Sequence, residues 1–223
     1  MFYQLYEFNH AALQPMRAYA DATKFFYQHP LNPMSRTAFG RSIAAMAELF
    51  ERTTRQYGKP EFNLPQTTVD FAGVAVTENR IWSKPFCDLI HFGRDLPKGR
   101  RQDPKILIVA PMSGHYATLL RGTVEAFLPH AEVYITDWTD ARKVPLTAGA
   151  FDLDTYIDYL IEIFELLGPD THVVAVCQPS VPVLAAVSLL SAQNDPVTPA
   201  SMVLMGGPID TRRNPTTVNA LAV

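Results

Sequence analysis

The spacing of apolar positions changes once along the chain. Up to about residue 66 it is helical, and two helix-length segments occur with no convincing strand between them, which predicts a helical hairpin. In "SRTAFGRSIAAMAELFERTTRQYG", Phe39, Ile43, Met46 and Phe50 recur at helical spacing. Ser35 stands where an N-cap belongs, and Gly58 and Pro60 supply stop signals. The earlier segment, from about Tyr6 to Gln28, is rich in aromatics but carries Pro15, so a kink or a late start is expected there. "KPEFNLPQ" reads as a linker, dividing a helical segment over residues 1–66 from a second domain over 67–223.

From Thr67 the period shortens to that of strands. "TTVDFAGVAV" and "PFCDLIHF" predict two strands of a hairpin, followed by the solvated loop "GRDLPKGRRQDP". Then "KILIVAP", "AEVYITDW", "HVVAVC" and "SMVLMGG" alternate with the helical "ATLLRGTVEAFL", "FDLDTYIDYLIEIFELLG" and "SVPVLAAVSLLSAQN". Near-continuous apolar strands separated by helices predict an α/β fold with a mainly parallel sheet covered on both faces. In the second of these helices Leu153, Ile157, Leu160, Phe164 and Leu167 form the stripe a covering helix needs.

Composition and charge narrow the function little. The 19 basic and 22 acidic residues give a net charge of -3 with no charge block, so nothing suggests nucleic acid or an anionic membrane as a partner. The apolar runs are too short to span a bilayer, and "MFYQLYEFNH" lacks the parts of a secretory signal, which makes a cytoplasmic address the expectation. The two cysteines, Cys87 and Cys177, are read as free thiols, and no Cys/His spacing of the metal-binding kind occurs.

Cys177 carries the candidate chemistry. It ends the strand "HVVAVC" just before a helix, and in such sheets the carboxyl ends of strands hold the ligands and reacting groups. A nucleophile elbow follows G-x-S-x-G; here Ala175, Val176, Cys177, Gln178 and Pro179 occupy the five places, so the second glycine is replaced by proline. A thiol at a helix N-terminus feels the positive end of the dipole, which favours the thiolate. The oxyanion of an attacked carbonyl would be met by the Gln178 N–H and by Met112 or Ser113 in the loop after "KILIVA", with His115 lining the site. The opposing reading is that Cys177 is an inert core residue, as Cys87 is expected to be. His91 and His172 are read as strand histidines without a catalytic role.

At "VAVCQPSVPVLAAVSLL", "ILIVAPMSGHYATLLRGTVEAFLPH" and "VYITDWTDARKVPLTAGAFDLDTYIDYLIE" the sequence resembles the intracellular poly(3-hydroxybutyrate) depolymerases, also called polyhydroxyalkanoate depolymerases. The likeness extends to the opening "YQLYEFNHAALQPMRAYADA" and the closing "GGPIDTRRNPTTVNALA". It implies an α/β-hydrolase fold with a Cys-Asp-His triad, the family cysteine matching Cys177, and no metal or organic cofactor. It also implies hydrolysis of ester bonds in cytoplasmic polyester storage granules, so polymer or granule surface is the expected partner.

Such a fold orders its triad as nucleophile, acid, histidine. All six histidines, His10, His29, His91, His115, His130 and His172, precede Cys177, and only Asp195 and Asp210 among acids follow it. About six of the usual eight strands are readable. The chain is therefore expected to be the amino-terminal part of a longer enzyme and nearly inactive alone. Two alternatives stay open beside depolymerisation. A polyhydroxyalkanoate synthase-like acyltransferase would carry glycines where Ala175 and Pro179 stand, and a non-catalytic granule-surface protein would use the aromatic amino-terminal helices to bind polymer.

Overall fold

The computed structural model describes all residues except 1, 98, 100–101, 113–115, 216, 218–220 and 222–223. The chain forms two compact units, Met1–Lys59 and Pro60–Val223.

In the first unit the aromatic segment is two helices, α1 (Phe2–Ala12) and α2 (Gln14–Gln28), followed by α3 (Ala38–Thr54). Pro15 falls in the first turn of α2, where a missing N–H leaves no helical bond unmade. Arg17 ties the unit together by donating to the carbonyls of His10 and Thr54. The cap of α3 is Thr37 rather than Ser35: the Thr37 hydroxyl accepts the Gly40 N–H at 3.0 Å, while Ser35 lies inside a short 3-10 turn, Pro33–Arg36. The buried positions of α3 are Gly40, Ala44 and Glu51, so small residues take the close contact. The larger stripe, Phe39, Ile43, Met46 and Phe50, leaves Phe39 and Met46 exposed. Ile43, Met46 and Phe50 line an open groove with Met16, Tyr19 and Ala20 of α2.

The second unit begins with the stretch that reads as a linker, yet Phe62 and Leu64 are buried in its core. Seven strands are described where six were expected: β1 (Gln66–Val69), β2 (Ala72–Lys84), β3 (Cys87–Arg94), β4 (Lys105–Val109), β5 (Glu132–Trp138), β6 (Thr171–Val176) and β7 (Ser201–Met205). The extra strand arises because "TTVDFAGVAV" folds back on itself. Asp70 and Phe71 both take positive φ, 49° and 65°, which makes the tight two-residue turn that pairs Val69 with Ala72.

The sheet order is β1-β2-β3-β5-β4-β6-β7. β4 pairs in parallel with both β5 and β6, and β6 with β7, whereas β3 runs antiparallel to β2 and β5. Alternate residues of each strand face opposite layers. Leu107, Val109, Val173 and Ala175 pack against α5 (Leu153–Leu167) and α6 (Ser180–Ala192), while Ile108, Ala110, Val133 and Ile135 pack on the side of α4 (Arg121–Phe127). In α5 the expected stripe is buried at Ile157, Leu160, Phe164 and Leu167, with Leu153 left exposed at the helix start. Asp152 caps that helix by accepting the Thr155 N–H at 2.9 Å. Among the described residues no helix is long and apolar enough to cross a membrane.

A charged network anchors the edge of the sheet where β5 begins. The buried Arg94 guanidinium donates to Glu132 at 2.7 Å, Asp103 at 2.8 Å and the Leu128 carbonyl at 2.9 Å. The His91 Nε2–H donates to the other oxygen of Glu132 at 2.9 Å. The His91 hydrogen bond, with Arg94 beside it, holds the Glu132 carboxyl below its ordinary value of 4.5. A carboxylate lowered on folding contributes stability in full above its unfolded value and loses it as the pH falls through the lower folded one. Glu132→Gln should therefore cost about 2 kcal/mol at neutral pH, since it strips a buried guanidinium of one of two carboxylates. Denaturant unfolding at several pH values checks this: the deficit should shrink steadily as the pH drops below 4.5.

Candidate active site

The site follows from where β6 ends. Its apolar residues bury it between β4 and β7, and the strand stops at Val176 because Cys177 turns into the left-handed region, φ 67°. For a residue with a side chain that conformation costs about 1–2 kcal/mol, so it persists where neighbours fix it. The Cys177 N–H donates to the Met205 carbonyl at 2.8 Å, and the Cys177 carbonyl accepts the Ser180 N–H at 3.1 Å. Pro179 is helical at φ -60° and accepts the first α6 bond, from the Val183 N–H at 3.0 Å. The result is a sharp strand-to-helix turn with an exposed thiol at its apex, before a helix of 13 residues. Cys87, by contrast, is fully buried in the core.

Four parallel strands deliver their carboxyl ends to the same edge. Val109 pairs with Ala175, so Pro111 and Met112 leave β4 beside the turn that carries Cys177. The start of that loop is fixed from β5: the Ala110 N–H donates to the Thr136 hydroxyl at 2.9 Å, and Trp138 Nε1–H donates to the Ala110 carbonyl at 2.8 Å. Met112 is half-buried against the core. Ser113 and His115, the other loop residues singled out in the sequence, lie outside the described residues. The Gln178 N–H makes no backbone hydrogen bond among the described residues, which leaves it available at the apex. The Gln178 side-chain oxygen and the Ser180 hydroxyl are buried and have no hydrogen-bond partner among the described residues.

The described histidines of the second unit lie away from the turn. His172 is five residues before Cys177 on β6, roughly 16 Å away at strand rise, and sits within 2.8 Å of Ser201. His91 is three strands across, in the row of Tyr134, Leu107 and Val173, and His130 precedes β5 at the opposite edge. Asp195 accepts the Val197 N–H in the turn before β7. Asp210 does follow β7 on the Cys177 side, but its carboxylate is paired with the Arg212 side chain at 2.8 and 3.1 Å, which lowers its pKa. Among the described residues of the second unit no histidine reaches Cys177, and among all described residues no group of three or more His, Cys, Asp or Glu is placed to hold a metal ion.

One contributor to the turn was overlooked in the sequence. Gly207, in the turn after β7, lies so close that a Cβ added there would stand 2.6 Å from the Cys177 carbonyl oxygen and overlap the Ser180 side chain. The paired glycines ending "SMVLMGG" were the visible signal.

No protein-family model and no curated protein matches the chain. Among solved structures it is similar to naproxen esterase (carboxylesterase NP) from Bacillus subtilis, with 14% identity over 58% of this chain and 42% of that one and a TM-score of 0.39. It is similar also to an α/β-hydrolase enzyme and an ester-hydrolase, both from the metagenome of Lake Arreo. These share 16% and 15% identity, each over 83% of this chain and 56% of the other, with TM-scores of 0.44 and 0.48. The chain thus spans about half the length of these structures. The strand order, the parallel run of β4 to β7 and the strand-turn-helix at Cys177 make the second unit an α/β-hydrolase fold.

Proposed function

We propose that this chain carries the nucleophile of a carboxylic ester hydrolase, and that its substrate is a polyhydroxyalkanoate such as poly(3-hydroxybutyrate). The observation that carries the reading is the exposed Cys177 thiol held at φ 67° between β6 and α6, where the parallel strands end. In this reading the thiolate bonds to the ester carbonyl carbon and pushes an electron pair onto its oxygen. The Gln178 N–H and a donor from the Met112–Ser113 loop meet that oxyanion. Collapse breaks the C–O bond, and the alcohol end of the polymer leaves with a proton. Water then cleaves the thioester, releasing a 3-hydroxy acid and restoring the thiol. A histidine and a carboxylate for these proton transfers come from outside the described residues.

The polyester assignment rests on the long sequence strings quoted above and on the apolar setting. Val181, the second residue of α6, and Met205, paired with Val176 at the end of β7, are exposed apolar neighbours of Cys177 in sequence or by strand pairing. In this reading the open groove of the amino-terminal unit, with Met16, Tyr19, Met46 and Phe50 on its walls, is the face that meets an amorphous polyester surface, at storage granules in the cytoplasm.

Two outcomes are expected. With an activated ester such as 4-nitrophenyl butyrate, the chain should release about one equivalent of nitrophenol and then turn over slowly, and Cys177→Ala should remove the release altogether; an undiminished signal from Cys177→Ala would discard the nucleophile. Tyr19→Asp combined with Met46→Asp, both at exposed positions, should lower sedimentation with amorphous poly(3-hydroxybutyrate) particles at least severalfold while leaving the nitrophenol release intact. Equal sedimentation would remove the groove from polymer binding.

A further inference from the structure

In the elbow pattern with glycines two places either side of the nucleophile, the room for a tight turn comes from inside the box. Here Ala175 and Pro179 fill those places, and Cys177 still takes φ 67°. The room is supplied from the neighbouring strand. Met205 and Gly207, flanking Gly206 at φ 65°, grip both peptide groups of Cys177: the Met205 carbonyl accepts the Cys177 N–H at 2.8 Å, and Gly207 packs against the Cys177 carbonyl. An added Cβ at 207 would approach that carbonyl oxygen to 2.6 Å, and its other obstacle, Ser180, is fully buried and has no solvent to swing into.

The Cys177 carbonyl and the Gln178 N–H belong to one planar peptide group, so whatever pushes the oxygen rotates the N–H with it. We infer that Gly207 is a positioning residue whose missing side chain fixes the direction of the Gln178 N–H, the oxyanion donor of the proposed reaction. The inference rests on the reading of Cys177 as an ester-attacking nucleophile. It separates two properties of the same thiol. Direct displacement at carbon, as with iodoacetamide, develops no oxyanion and needs no such donor. Attack on an ester carbonyl does, and loss of a single oxyanion donor typically slows such a step by about 10²–10³.

The test compares, for the whole chain, the rate of Cys177 acylation by 4-nitrophenyl butyrate with its rate of alkylation by iodoacetamide, in the parent and in Gly207→Ala. Acylation should fall at least tenfold while alkylation stays within about threefold. If both rates are unchanged, or both fall in parallel, Gly207 does not act on the donor and the inference is overturned. Should Gly207→Ala not fold, the same ratio is read on Ser180→Gly/Gly207→Ala, where the Ser180 atoms are gone and only the Cys177 carbonyl opposes the new methyl. The same selective loss is expected there, and its absence overturns the inference. A parent chain that alkylates at Cys177 but accepts no acyl group would instead discard the hydrolase reading itself.

Discussion

The parallel hydrogen bonding of β6 between β4 and β7 is the constraint from which the rest of the site follows. It sends the carboxyl ends of these strands and of β5 to one edge, and it sets Met205 beside Val176 so that the next amide, that of Cys177, meets the Met205 carbonyl. A slip of β7 by one residue would exchange its two faces and move that carbonyl away from the turn. The strained backbone at Cys177 is thus a property of the sheet register and not of the five-residue box alone. The opposite edge carries different work. There Arg94, Glu132, Asp103 and His91 tie β3 to the start of β5, so charge stabilises one end of the sheet and the thiol stands at the other.

This separation keeps His91 and His172 away from Cys177. His91 and His172 lie along or below the strands and are engaged with Glu132 and Ser201. The proposed nucleophile is an exposed residue whose following N–H, that of Gln178, makes no backbone hydrogen bond among the described residues. In the proposed reading these features serve attack on an ester, and the groups for the proton transfers of turnover come from outside the described residues. The first compact unit presents an apolar groove between α2 and α3, and the second carries the sheet that ends at Cys177.

Much of this was legible in the sequence because it depends on short-range pattern. The alternation of apolar strands with helices predicted the α/β layers, and the strand-to-helix break at Cys177 marked the sharp turn found there. The illegible parts depend on contacts between distant segments or on unusual turns. Asp70-Phe71 is not a turn pair that sequence rules favour, so β1 was merged with β2. Thr37 displaced Ser35 as a cap because Pro33–Arg36 formed a turn of its own. The helical spacing of Phe39, Ile43, Met46 and Phe50 marked α3 as a helix but not its buried face, which the small residues Gly40 and Ala44 occupy with Glu51. Gly207 could not be recognised without knowing that β7 lies beside β6, since its importance is a distance across strands.

The central claim is that Cys177 takes the acyl group. Peptide mapping by tandem mass spectrometry, after brief exposure of the chain to an activated ester of 3-hydroxybutyrate, tests it most directly. The account predicts one hydroxylamine-labile 3-hydroxybutyryl group, on Cys177 and nowhere else. An acyl group on a serine or lysine with Cys177 unmodified, or no acyl group on a folded chain, would contradict it.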